Sequence, residues 1–327
     1  IAIDFKRDAG KELIKRLAAK ADIFVENFRP GVLERQRLGY EDIRAINPRI
    51  IYASCYGFGS KSPYRDRAAM DVIVQGMSGM MSITGEEGGP PVRVGYSIGD
   101  IGAGLFLTVA ILAALNLRNR TGEGQHIEVT MLDSMLMLME NAVVRAATCG
   151  EEPRAMGSRH PLITPFQAFP TGDGYMVLGI PTERHWRMFC EKVGRPDLAS
   201  DPRFATNELR TKNHAELEPI LNELFKTRPT ADWVKMFEDE LPVGPVNTIS
   251  QILDDPHVKE TGVIAEVKDK RAGVMRLMKT PISFSKTPVE VQGGTPAIGE
   301  DTDEILREIL GLTGEELKDL RDKGVIA

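Results

Sequence analysis

Asp100 stands in the stretch GYSIGDIGAG, an acid flanked by glycines at the mouth of an uncharged run over residues 101–117. The run predicts a helix buried on nearly all sides, with Asp100 at or next to its N-cap. A carboxylate there accepts hydrogen bonds from the first free N–H groups and sits at the positive end of the helix dipole, which favours its ionised form. Gly99, Gly102 and Gly104 carry no side chains, which leaves room for a bulky ligand beside the acid. Two readings are open: a carboxylate nucleophile, or an ordinary helix cap beside ordinary turn glycines.

Positive charge gathers on two loops. Arg29 and Arg35, with Arg37 and Arg44 close behind, go with NFRPG; Lys61, Arg65 and Arg67 go with GFGSKSPYRD. Guanidinium groups and backbone N–H groups near a helix start suit phosphate or pyrophosphate, although each arginine taken singly also fits a solvated face. GFGS and GEEGGPP match neither GxGxxG nor GxxxxGK, so they predict no dinucleotide or P-loop site. The histidines His126, His160, His185, His214 and His257 are scattered, none at metal-ligand spacing with a cysteine or glutamate, and no metal site is expected. There is no GxSxG elbow and no serine or cysteine with an evident base. Residue chemistry alone leaves Asp100 as a candidate nucleophile near a phosphate-binding cluster.

The elements that must position these residues alternate. IAIDF, DIFVENF and RIIYASCYG read as strands, separated by helical spacing at Leu13, Ile14, Leu17 and Ala18 and by EDIRAIN, so the first stretch reads as a βαβ unit. HIEVTMLD adds a strand, and SMLMLMENAVVRA a methionine-rich helix that reads as core filler. This alternation predicts a mainly parallel, Rossmann-like sheet with ligands beyond the carboxyl ends of its strands. After Cys149 the pattern changes: PFQAFPTGDGYMVLGI reads as an antiparallel pair, followed by helices, a β-rich stretch over residues 263–284, and two terminal helices with TGEE as a capping box. The expected division is a large domain over residues 1–150, a linker over 151–165, a small α+β domain over 166–245, and a return segment with C-terminal helices over 246–327.

With 327 residues, 42% of them hydrophobic, the chain can bury a large core and fill two domains. A net charge of −6 argues against general affinity for nucleic acid or an anionic membrane, so a phosphate-bearing ligand needs a local basic site. The run 101–117 falls short of the about 20 apolar residues of a membrane span and reads as core. Cys55, Cys149 and Cys190 are widely spaced without a CxxC pair, which suits a reducing cytoplasm.

The ordered set IAIDFK, VENFRPGVLER, NPRIIYASCYGFG, MDVIVQGMSG, the Gly-Asp at Asp100, LRNRTGEGQHIEVTMLD, FPTGDGY, DPRF, GPVN and PISFSKTP closely resembles family III CoA-transferases, the formyl-CoA and carnitine-CoA transferase type. The resemblance implies a CoA-transferase that moves CoA from an acyl-CoA donor to a small carboxylic acid, with coenzyme A as a substrate and no permanently bound cofactor. It makes Asp100 the nucleophile that forms an aspartyl mixed anhydride, places Asp71 as a second active-site carboxylate, and sets Asn27, Phe28 and Arg35 against CoA. It also implies an interlocked homodimer, and a βα segment before Ile1 that carries further CoA contacts. Racemases resembling this group have a histidine where Met70 stands, and a thioether is no base at neutral pH. GSRHP at residues 157–161 is the nearest counterpart of the family's mobile glycine loop. An acyl-CoA racemase and a non-catalytic CoA-binding protein remain as alternatives.

Overall fold

The computed structural model describes residues 1–291 and 293–327. They group into two compact units, residues 1–84, 91–154 and 295–327 in the first and residues 85–90 and 155–294 in the second.

The first unit holds, in chain order, α1 (Asp8–Ala18), β1 (Ile23–Glu26), α2 (Val32–Arg35), α3 (Tyr40–Ile46), β2 (Ile51–Tyr56), α4 (Asp71–Met77), α5 (Ile98–Thr121), β3 (Gln125–Thr130), α6 (Met131–Leu138) and α7 (Glu140–Cys149). The three strands form a parallel sheet in the order β1-β2-β3, with Ile51 paired to Ile23 on one side and to Gln125 on the other. Central β2 is buried along nearly its whole length, which explains its continuous run of apolar and small residues rather than an in-out alternation. The expected mixed α/β architecture with a parallel sheet is present. IAIDF is not one of its strands: Ile3 makes a single antiparallel bridge to Ile326, and Asp4 N–H donates to Val325 O at 2.8 Å. A β-like sequence there is held against the end of the chain, where Leu13, Leu306, Leu317 and Ile326 share one apolar cluster. The terminal helix Gly314–Asp322 starts with the capping box read from TGEE, Thr313 bonding Glu316 in both directions.

Helix α5 departs most from expectation. It runs from Ile98 through Thr121, its N-cap is Ser97, and Asp100 is its third residue. At 24 residues it is the one helix among the described residues long and apolar enough to cross a membrane. It packs instead on β2, β3, α4 and α6. Near its far end buried Arg118 donates to the Asp22 carboxylate at 2.9 Å and to the carbonyls of Asp22 and Arg49 at 3.1 and 3.2 Å. Nor is it buried all round: Gly99, Gly102, Ala103, Leu107, Ala114 and Arg118 face inward, while Ile101, Leu105, Val109 and Leu112 are 52–64% exposed. A helix apolar on every face gives no periodic signal of which side is covered. The methionine-rich stretch breaks at Met139 into α6 and α7, and Met131, Met135 and Met139 do fill core, packed with Val74 and Ala103.

In the second unit β4 (Phe166–Pro170), β5 (Tyr175–Gly179) and β6 (Val243–Pro245) form an antiparallel sheet in that order, with TGDG turning β4 into β5 as the sequence predicts. Its core is aromatic, built on Phe169, Trp186, Phe189, Phe225, Trp233 and Phe237. The β-rich stretch after Val263 is a hairpin of β7 (Ile264–Asp269) and β8 (Gly273–Met278).

Candidate active site

In the first unit the loops after β1 and β2, the start of α6 after β3, and the first turns of α4 and α5 surround a cavity of about 890 Å³. It lies beyond the carboxyl ends of the parallel strands, where such sheets leave space between diverging loops. Asn27, Phe28, Asp71 and Asp100 all line it; Arg35 does not. Arg35 borders an adjoining pocket of about 540 Å³ that shares Phe28, Arg29 and Pro30 with the cavity. Of the basic residues picked out by sequence, Arg29, Arg65 and Arg67 reach the cavity, whereas Arg37, Arg44 and Lys61 line neither space. Arg44 stands 3.5 Å from Glu41.

The two carboxylates divide the roles that sequence assigns to one. Asp71 is the first residue of α4 and is 9% exposed. Its Oδ1 accepts the Gly99 N–H at 2.8 Å, and Gly99 is the second residue of α5, so Asp71 caps the long helix from outside it. Its Oδ2 accepts Gln75 Nε2 at 2.8 Å. Gln75, fully buried, also accepts the Val94 N–H at 2.8 Å and donates to Tyr96 O at 3.4 Å, fixing the segment that leads into α5. Asp100 is thereby released from capping. It is exposed, and among the described residues its carboxylate has no hydrogen-bond or ion-pair partner. Desolvation and then the nearby charge of Asp71 push its pKa above the ordinary carboxylate value, against the direction expected of a helix N-terminus.

Only one of the three glycines opens a path to the acid. A Cβ on Gly99 would lie 3.1 Å from Asp71 Oδ1, and one on Gly102 would lie 2.8 Å from Leu138 Cδ1, so these two serve close packing. Gly104 has open space beside it and lines the cavity with Asp100 and Leu107, one stripe of α5.

Sequence reasoning missed Gln75, Arg93 and Glu26. Gln75 lies four residues after Asp71 on one helix, a spacing that signals contact. Arg93 lines the cavity from a loop with no motif. Glu26, 6% exposed at the end of β1, accepts the Phe28 N–H at 2.9 Å and so shapes the Asn27-Phe28 turn. Met70 is the N-cap of α4, 71% exposed on the cavity wall, and no histidine lines that wall. GSRHP lies in the second unit, where Gly157 N–H donates to Gly85 O at 2.8 Å and His160 stacks on Phe166.

The model of CoA-transferase family III matches residues 1–302. The chain belongs to that family. A succinate–glutarate CoA-transferase of Agrobacterium fabrum is 36% identical over 310 residues, covering 94% of this chain and 78% of that protein. A succinyl-CoA–D-citramalate CoA-transferase of Chloroflexus aurantiacus is 36% identical over 329 residues, covering all of this chain and 82% of its own. Among solved structures, a CAIB/BAIF family protein from Brucella suis superposes with a TM-score of 0.82 at 36% identity, over 94% of this chain and 80% of that one. This family III chain is an enzyme, and its reaction is the transfer of CoA.

Proposed function

We propose that Asp100 is the nucleophile of this transfer and that the acceptor is a small carboxylic acid. The observation that carries the reading is the division of labour at the head of α5, where Asp71 caps the helix and the Asp100 carboxylate faces the cavity without a partner. An Asp100 oxygen attacks the thioester carbonyl, a C–O bond forms, the C–S bond breaks, and CoA leaves as the thiolate. The acceptor carboxylate then attacks the aspartyl carbonyl carbon (Cγ of Asp100) of the anhydride, the bond from that carbon to the first acid's oxygen breaks, and the first acid leaves as a carboxylate, so that the acceptor's acyl group is now joined to Asp100. Attack of the CoA thiolate on the carbonyl of the acceptor's acyl group forms the new C–S bond, breaks that group's C–O bond to Asp100, and returns Asp100 as a carboxylate. The desolvation and neighbouring Asp71 charge that raise the Asp100 pKa leave a less solvated, more basic carboxylate, which supports the first step. Asn27 and Phe28 in the cavity and Arg35 in the adjoining pocket are the CoA contacts in this reading, with Arg29 between the two spaces. The names of the two relatives support an acyl-CoA donor with a carboxylate acceptor.

The racemase alternative needs a base at the α-carbon, and the cavity wall offers Met70 and no histidine. We also infer a homodimer in which a second copy covers Ile101, Leu105, Val109 and Leu112, a contiguous apolar stripe on α5. Sedimentation of the full-length protein at low concentration then gives a dimer. The three cysteines are free thiols, which supports a cytoplasmic setting. Incubating the enzyme with acyl-CoA and hydroxylamine tests the nucleophile: the expected product is a hydroxamate on residue 100 by peptide mass analysis, and modification at another residue overturns the assignment.

A further inference from the structure

Four arginines, Arg29, Arg65, Arg67 and Arg93, share the cavity wall with three acids, Glu26, Asp71 and Asp100. Two of these cations have a partner within the chain, and a third borders a second pocket. Arg65 lies 3.7 Å from Asp66, Arg67 stacks over the Tyr64 ring at 4.3 Å, and Arg29 faces the adjoining pocket together with Arg35. Arg93 has neither an acidic partner nor a ring among the described residues. Its Nε donates to Val94 O at 3.1 Å, which leaves both terminal nitrogens for a ligand.

Its position is fixed with respect to the acids. Val94, the next residue, donates its N–H to Gln75 Oε1 at 2.8 Å, and Gln75 Nε2 donates to Asp71 Oδ2 at 2.8 Å. Asp71 in turn holds Gly99, the neighbour of Asp100. The backbone beside Arg93 is thus tied through Gln75 to the carboxylate that holds Gly99, next to Asp100, whereas Arg29 also borders the pocket that holds Arg35. A planar guanidinium with both terminal nitrogens free matches a carboxylate in bidentate geometry.

Resting on the reading of Asp100 as nucleophile, we propose that Arg93 receives the distal carboxylate of a dicarboxylic acyl group, so that the acids exchanged by this enzyme are dicarboxylates. One carboxylate of the acceptor enters the anhydride and the other neutralises Arg93. A monocarboxylic acid of equal length fills the same space and leaves the guanidinium without its anion.

The test compares succinate with butyrate, and glutarate with valerate, as acceptors for the full-length enzyme. In wild type the dicarboxylates are preferred in kcat/KM. Arg93→Ala lowers dicarboxylate kcat/KM by about 10- to 150-fold, the worth of a hydrogen-bonded charge pair, and lowers the monocarboxylate values much less, so the preference collapses. Arg93→Lys restores part of it. Arg93 is exposed, and unchanged thermal unfolding and CoA affinity confirm a folded variant. Equal losses for both acceptor classes, or a wild type that does not discriminate, overturn the assignment while leaving Asp100 in place. Absence of exchange with every acceptor overturns the Asp100 reading and this one with it.

Discussion

The carboxylate of Asp100 in the first unit and the imidazole of His214 in the second are treated in opposite ways by their surroundings. His214 is 7% exposed, and both ring nitrogens are engaged: Arg159 Nη1 donates to Nδ1 at 2.9 Å, and Nε2 bonds Gln167 Oε1 at 2.7 Å. Gln167 donates onward to Glu218 at 2.7 Å, and Arg159 also bonds Glu87. This network fastens GSRHP within the second unit by saturating its polar atoms. The Asp100 carboxylate has a raised pKa and, among the described residues, no hydrogen-bond or ion-pair partner. A saturated buried network specifies a fold, whereas a charged group left free on a cavity wall is available for chemistry.

The sharpest break of that contrast is Asp100→Ala. Because Asp71 supplies the cap, removing the Asp100 side chain leaves the helix start intact, and stability stays within about 0.5 kcal/mol of wild type. Turnover falls by at least about 1,000-fold, the scale seen when a covalent nucleophile is lost. Thermal unfolding and acyl-exchange kinetics read the two effects separately, and near-normal turnover would sink the nucleophile.

Gln167→Leu should do the reverse. It strips His214 and Glu218 of a shared partner and costs about 1–3 kcal/mol of stability by urea titration. A neutral outcome would mean that the network is not the fastening it looks like.

Asp71 joins both kinds of behaviour, since it is bonded like His214 and charged like Asp100. Asp71→Ala loses a helix cap, at about 0.5–2 kcal/mol. Asp71→Asn keeps an acceptor but removes the charge that helps raise the Asp100 pKa, so the acid limb of kcat/KM moves to lower pH. An unmoved limb would remove Asp71 from the electrostatics of the site.

The smallest effect is in the pH dependence of stability. Burial and then the charge of Arg159 lower the His214 pKa, while Glu218 and Glu87 oppose them. The unfolded chain therefore takes up the proton first as pH falls below about 6.5, and the stability tied to neutral His214 is lost from there down to its folded pKa. Unfolding midpoints between pH 7.5 and 5 should fall more steeply in wild type than in His214→Gln.

Sequence by itself determined the parts that depend on local pattern and motif order. The strands at Ile23, Ile51 and Gln125, the hairpin around TGDG and the capping box at Thr313 were legible because alternation, turn residues and caps act over a few positions. The ordered motifs sufficed for the family, and Asp100 stood out as an acid at a helix start. Tertiary structure alone decided what that acid is free to do. Its release depends on Asp71, 29 positions earlier by residue number, reaching Gly99, and on Gln75 fixing the loop between them. The inward face of α5 was equally hidden, because an apolar helix has no polar side to mark the outside. IAIDF has the alternation of a sheet strand, yet its partner is Ile326 at the other end of the chain, and no local rule chooses among distant partners of equal hydrophobicity.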